Sequence, residues 1–272
     1  MNLSSPEPIL PQEQHPPAAL PVSAAPPENP SWNLVDVLII LVFAAISVIL
    51  TGLMALSIAH SMPRFHGLKV NELAEKASIL VPAQTVAYLL LIGFMVQWVR
   101  FKNQGSFLDA ISWRAPGQDR VLRAVGGGVG LALASELFEG LFSRWVPKNL
   151  PIDKYFSDTH TAYLLAIFGV ALAPLVEELF FRGFLYPALA RPLGVQASVI
   201  LTAAGFAVVH QGQLAHAWVP LTWLFIVGTV LTVVRARTKS VATCVIIHVT
   251  YNLTLFTLFF IASHGFKQLQ GT

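Results

Sequence analysis

The hydrophobic pattern divides the chain into long apolar runs separated by short polar breaks. Seven runs approach the ~20 residues a helix needs to cross the hydrocarbon of a bilayer. They lie at about 34–58, 78–99, 121–144, 161–190, 195–212, 217–234 and 240–262. In lipid the backbone must satisfy its own hydrogen bonds, so these runs predict helices. The expected fold is all-α, a polytopic bundle of about seven spans over residues 32–266. Residues 1–31 are rich in Pro and Ala and contain no Lys or Arg, so they predict an extended, disordered tail. No repeat of fixed period interrupts the pattern.

Composition agrees. The 272 residues are 55% hydrophobic and only 11% charged, with mean hydropathy +0.65. A soluble domain carries roughly twice that charged share. The net charge of +3 suits loops near anionic lipid. No dense Lys/Arg stripe occurs, which argues against nucleic acid as a partner. The single cysteine, Cys244, permits no internal disulfide.

Basic residues in the loops bear on orientation. One side would carry Arg100, Lys102, Arg114, Arg120, Arg123, Arg191, Arg235, Arg237 and Lys239; the other, Arg64, Lys69, Lys76, Arg144, Lys148, Lys154 and Lys267. Nine against seven favours a cytoplasmic N-terminus in a multi-pass protein of the plasma membrane.

Polar groups inside the apolar runs are the functional candidates, because a charge at mid-membrane costs about 2.5–3.5 kcal/mol on insertion scales. The fourth run holds Glu177, Glu178 and Arg182. Glu178 and Arg182 are four apart with the acid first, the favourable order for a helical ion pair. Glu177 points about 100° away and has no partner in its own helix, so it is the candidate base. The fifth run ends in Phe206-Ala-Val-Val-His210, and the seventh contains His248 and Asn252, four apart on one face. Pro192 and Gly194 predict a reversal between the fourth and fifth runs. The midpoint between Glu177 and His210 falls there, so a hairpin brings both to one depth, roughly 20–25 Å from the turn. His248 and Asn252 enter from the same side to roughly 14–20 Å.

Taken together, EExxxR at Glu177–Arg182, FxxxH at Phe206–His210 and HxxxN at His248–Asn252 resemble the three motifs of the CPBP intramembrane proteases. That family, also called Abi, includes the type II CAAX prenyl endopeptidases and bacteriocin-processing or immunity proteins. The similarity covers about residues 161–255. It implies a hydrolase with a cavity open to the cytosol and a membrane-associated protein or peptide as substrate, a CAAX-type prenylated protein being one candidate. Carried over by position, Glu177 and His210 would activate water, His248 and Asn252 would stabilise the oxyanion, and Glu178, Arg182 and Phe206 would support them. Members are often described as metalloproteases. A zinc ion would take His210, His248 and Glu177, but no HExxH helix is present. A scheme without metal uses each residue once, and no cofactor is expected.

Two other classes compete. Intramembrane Glu and His also build proton relays in transporters, but these often show paired halves with broken helices. A silent scaffold would use the same groups only to hold helices together. A relay needs no oxyanion donors, so His248 and Asn252 favour hydrolysis.

Remaining polar positions read as structural. Glu136 and Glu139, near Arg144, close the third run and suggest an interfacial role. Asp36 suits a helix start. His160, His216 and His264 fall at loop edges. Trp32, Trp98, Trp145 and Trp218 suit an aromatic belt. Gly126, Gly127, Gly128 and Gly130 suggest close helix packing.

Overall fold

The computed structural model describes residues 30–267 except 104, 149 and 157; the Pro-rich tail lies almost wholly outside them. The described residues form helices and turns with no strand. Six helices among them are long and apolar enough to cross a membrane. One of these, Thr159–Val209, runs 51 residues. Straight, it would extend about 75 Å, far beyond a ~30 Å hydrocarbon layer. It breaks at Gly194, whose φ of 76° and ψ of 173° fit a residue without Cβ. Beyond the break the chain doubles back. Phe181 meets Phe206 with ring centroids 5.3 Å apart, and Val199 packs on Tyr186 and Ala190.

The break turns six helices into seven membrane segments. We label them α1 (Leu34–Ser61), α2 (Ala77–Asn103), α3 (Gln118–Leu141), α4 (residues 159–193), α5 (residues 195–209), α6 (Trp218–Thr238) and α7 (Val241–Ala262). Helix α2 lies along α1, α7 along α3, and α6 along α5. The α3–α7 approach depends on one of the four glycines. A Cβ on Gly128 would stand 2.6 Å from the Ile247 carbonyl oxygen, whereas Gly126, Gly127 and Gly130 face open space.

The start of α1 is capped as expected. Asn33 accepts from the backbone of Val35 and Asp36, and the Asp36 carboxylate accepts from the Asn33 amide at 2.8 Å. Asp36 is also buried and pairs with Lys102 at 2.9 Å, which ties the start of α1 to the end of α2. Trp32 departs from the aromatic-belt expectation. It is 2% exposed and donates its indole N–H to the Phe184 carbonyl, because the chain entering α1 crosses over α4. Trp145 and Trp218 do lie exposed beside one another, 6.1 Å between centroids.

Helix α4 is not a regular α-helix. It passes through π-helical turns at Phe168–Leu172 and Leu179–Leu185, which bracket the α-helical Ala173–Glu178. Pro174 and Pro187 each follow a π turn by two residues. A proline offers no N–H and crowds the carbonyl four residues before it, so the preceding turn widens.

Candidate active site

The two glutamates lie between the π turns of α4 and diverge as the sequence predicts. Glu178 is fully buried. Its Oε1 accepts from the Arg182 guanidinium at 2.8 Å, and Arg182 donates again to the Gly228 carbonyl on α6 at 3.0 Å. The guanidinium also lies over the Phe206 ring, 4.8 Å from its centroid. The Arg182 carbonyl in turn accepts from Arg235, itself 1% exposed. Phe206 thus lies between Arg182, His210 and His248.

Glu178 has a second partner that sequence spacing does not reveal. The same Oε1 accepts from Nδ1 of His248, across from α7, at 2.8 Å. His248 therefore carries its proton on Nδ1 and turns Nε2 towards Glu177, 3.8 Å from Oε2. His210, just past the end of α5, is fixed in the same sense. Its Nδ1 lies 2.8 Å from the Phe206 carbonyl, which can only accept. Its Nε2 stands 3.9 Å from Oε1 of Glu177. The two imidazoles thus flank one carboxylate from opposite oxygens, at distances too long for direct hydrogen bonds.

Asn252 completes the group that the motifs single out. Its side-chain amide donates one hydrogen to the Gly169 carbonyl, in the first π turn, at 2.6 Å. Its second amide hydrogen stays free for another acceptor. All four groups line cavities. One, of about 340 Å³, includes Glu177, His210 and Asn252 with Tyr88, Phe168 and Phe256. The other, of about 380 Å³, includes Glu177, His210, His248 and Asn252 with Trp223 and Tyr251.

These cavities occupy one half of the bundle. Their walls include Ala77 at the start of α2, Ile152 before α4, Gln213 between α5 and α6, and Phe256 and Phe259 near the end of α7. The start of α1, the Gly194 reversal and Lys239 lie at the other end. There Ser240 donates to the Arg114 carbonyl, and the Val241 amide donates to that of Ser112. The cavities and the start of α1 therefore lie towards opposite ends of the bundle.

Glu136 and Glu139 are exposed near the end of α3. Both line the second cavity. Arg144 does not pair with them and lies over the Trp145 ring, 3.7 Å from its centroid. An acid pair three apart on one helix face was the available signal. Nothing in the spacing of polar residues marks Tyr88 or Gln213, which also line the first cavity. His160, His216 and His264 are exposed, as expected.

In donor chemistry, Glu177, His210 and His248 suit zinc: each imidazole directs Nε2 inwards while its Nδ1–H is held by a second group. Their spacing does not. Ligands about 2.0–2.1 Å from a tetrahedral zinc stand roughly 3.4 Å apart; here the gaps are 3.9 and 3.8 Å. No trio of His, Cys, Asp or Glu among the described residues meets metal-site spacing.

Comparison with known proteins adds one finding. A family profile described as type II CAAX prenyl endopeptidase Rce1-like matches residues 159–254, the stretch from the start of α4 to beyond Asn252. No curated protein and no solved structure matches the chain.

Proposed function

We propose that this chain, whose residues 159–254 match the type II CAAX prenyl endopeptidase profile, is an intramembrane endopeptidase. It hydrolyses a peptide bond of a membrane-associated protein or peptide, a CAAX-type prenylated protein being one candidate. The observation that carries this reading is the convergence of two Nε2 atoms on opposite oxygens of Glu177, at 3.9 and 3.8 Å.

In this scheme a water held by Glu177 and His210 gives up a proton as its oxygen attacks the scissile carbonyl. Asn252 and His248 donate to the oxyanion that forms. His248 can do so only as imidazolium, because its Nδ1 proton is committed to Glu178. Glu178 holds that ring through its Nδ1. Collapse of the tetrahedral intermediate breaks the C–N bond, and the proton taken from water passes to the leaving nitrogen. The scheme assigns every motif residue one task without a transition metal.

Because the cavities lie towards the end of the bundle opposite the start of α1, a cavity open to the cytosol and a cytoplasmic start of α1 exclude each other. The nine-to-seven basic margin gives a cytoplasmic N-terminus and an outward mouth; the family resemblance gives the reverse. A margin of two basic residues is slight, and we take the cytosolic mouth, with the N-terminus outside the cytoplasm.

The test is a comparison of peptides and membrane proteins from cells carrying the wild type or Glu177→Ala at equal abundance. Cleavage products confined to the wild type are expected. Identical profiles, with the purified wild type cutting no peptide, would overturn the reading.

A further inference from the structure

The two cavities meet at Glu177, His210, Asn252, Gln213 and Ile152, which belong to both walls. A peptide whose scissile bond lies at Glu177 and His210 must extend into both, one on either side of the bond. Their walls differ in kind. The first presents Leu80, Val81, Leu165, Phe168 and Phe256, an apolar and aromatic surface. The second presents the carboxylates of Glu136 and Glu139 together with Trp223, Tyr251 and Phe259.

Both carboxylates are exposed in the last two turns of α3, and what they offer is negative charge at the wall of the second cavity. Neither has a cationic partner among the described residues, and Arg144 is engaged by Trp145. The pair is held on the rigid α3, whose Ser135 accepts from Tyr251 at 3.4 Å, and Tyr251 accepts from Trp223 at 3.1 Å. The acids therefore share a wall with aromatic faces, a combination that attracts a cation both by charge and by the ring quadrupole. It would repel an acidic side chain or a free carboxylate.

Resting on the protease reading above, we propose that Glu136 and Glu139 select a basic residue, Lys or Arg, on one side of the scissile bond, while the other cavity takes an apolar group on the opposite side. The substrate class is then a membrane-associated peptide with an apolar and a cationic residue flanking the cut.

The test uses the full-length protein in proteoliposomes and a synthetic peptide library randomised around an apolar residue. Cleavage products of the wild type are sequenced by mass spectrometry, beside those of Glu136→Gln/Glu139→Gln. In parallel, Glu177→Gln protein is used to capture peptides without cutting them. Lys and Arg should be enriched roughly tenfold over norleucine at positions on one side of the cut. They should be enriched likewise among captured peptides. The double variant should lose this preference and keep the apolar one. Cleavage without basic enrichment, or with enrichment unchanged in the double variant, overturns the subsite and leaves the protease reading standing. Basic-selective capture with no cleavage by the wild type supports the subsite and overturns the protease reading. Capture without basic preference overturns the subsite whatever the outcome of cleavage.

Discussion

Glu178 holds His248 through a 2.8 Å hydrogen bond between helices α4 and α7, on the same oxygen that receives Arg182. The second glutamate of the motif thus joins the buried ion pair to the His248 imidazole, while Glu177, one residue earlier, faces the cavities.

The adjacent glutamates should therefore fail in different ways. Glu177→Gln is expected to abolish turnover with melting unchanged. Glu178→Gln removes the partner of a fully buried Arg182 and should cost about 3–5 kcal/mol of stability. It also releases His248, so activity falls with it. Glu178→Gln/Arg182→Gln should melt above Glu178→Gln alone, because no bare charge is left inside. Yield, thermal melting and turnover of the three variants decide this. Equal melting of the two single variants, with full activity in Glu177→Gln, would exchange their roles.

The fold fixes a relation between the two ends of the bundle that labelling can read. In a Cys244→Ser background, cysteines introduced at Thr238 and at Lys148 should react with a membrane-impermeant maleimide from opposite sides. Reaction of both from the same side would contradict the seven-segment arrangement. With a cytosolic mouth, position 238 labels in intact cells and position 148 only after permeabilisation. The converse pattern would restore the orientation that basic residues favour and move hydrolysis to the outer face.

Metal dependence separates the two uses of the histidine pair. Active, detergent-purified protein is expected to contain no stoichiometric transition metal and to keep its activity after chelation. Elemental analysis beside a chelation series is the measurement. Near-stoichiometric zinc, lost with activity and restored by adding the ion, would instead make His210 and His248 ligands.

Much of this arrangement could be read from spacing. Four-residue intervals put Glu178 with Arg182, and His248 with Asn252, on shared faces. The Pro192–Gly194 break set the hairpin that levels Glu177 with His210. Spacing within one helix could not reveal the bond from Glu178 to His248, because it depends on how α7 is rotated against α4. The Asn252–Gly169 bond was hidden for the same reason, and because the π turn at Gly169 has no simple sequence signature. Trp32 misled because a tryptophan ahead of an apolar run fits a membrane interface equally well. Glu136 and Glu139 were visible as intramembrane acids, but only the packing of α3 on α7 turns them towards the cavity.

The π turns of α4 bear on how such a helix tolerates change. Each holds about one residue more than the α-helical turn it replaces, so the facing of Glu177 and Glu178 is set by residue count as well as residue type. Removing a single apolar residue between Leu179 and Leu185 would let that stretch relax to α-helical pitch. The widened turn is what had absorbed the extra residue, so the parts of the helix on either side would keep their mutual facing. The loss would be local: a residue taken from between Glu178 and Arg182 would shorten the interval of their ion pair, while Glu177 kept its place on the cavity wall. In this segment length is itself a coded property: each widened turn is a place where one codon can be lost with the flanking charged residues still facing as before.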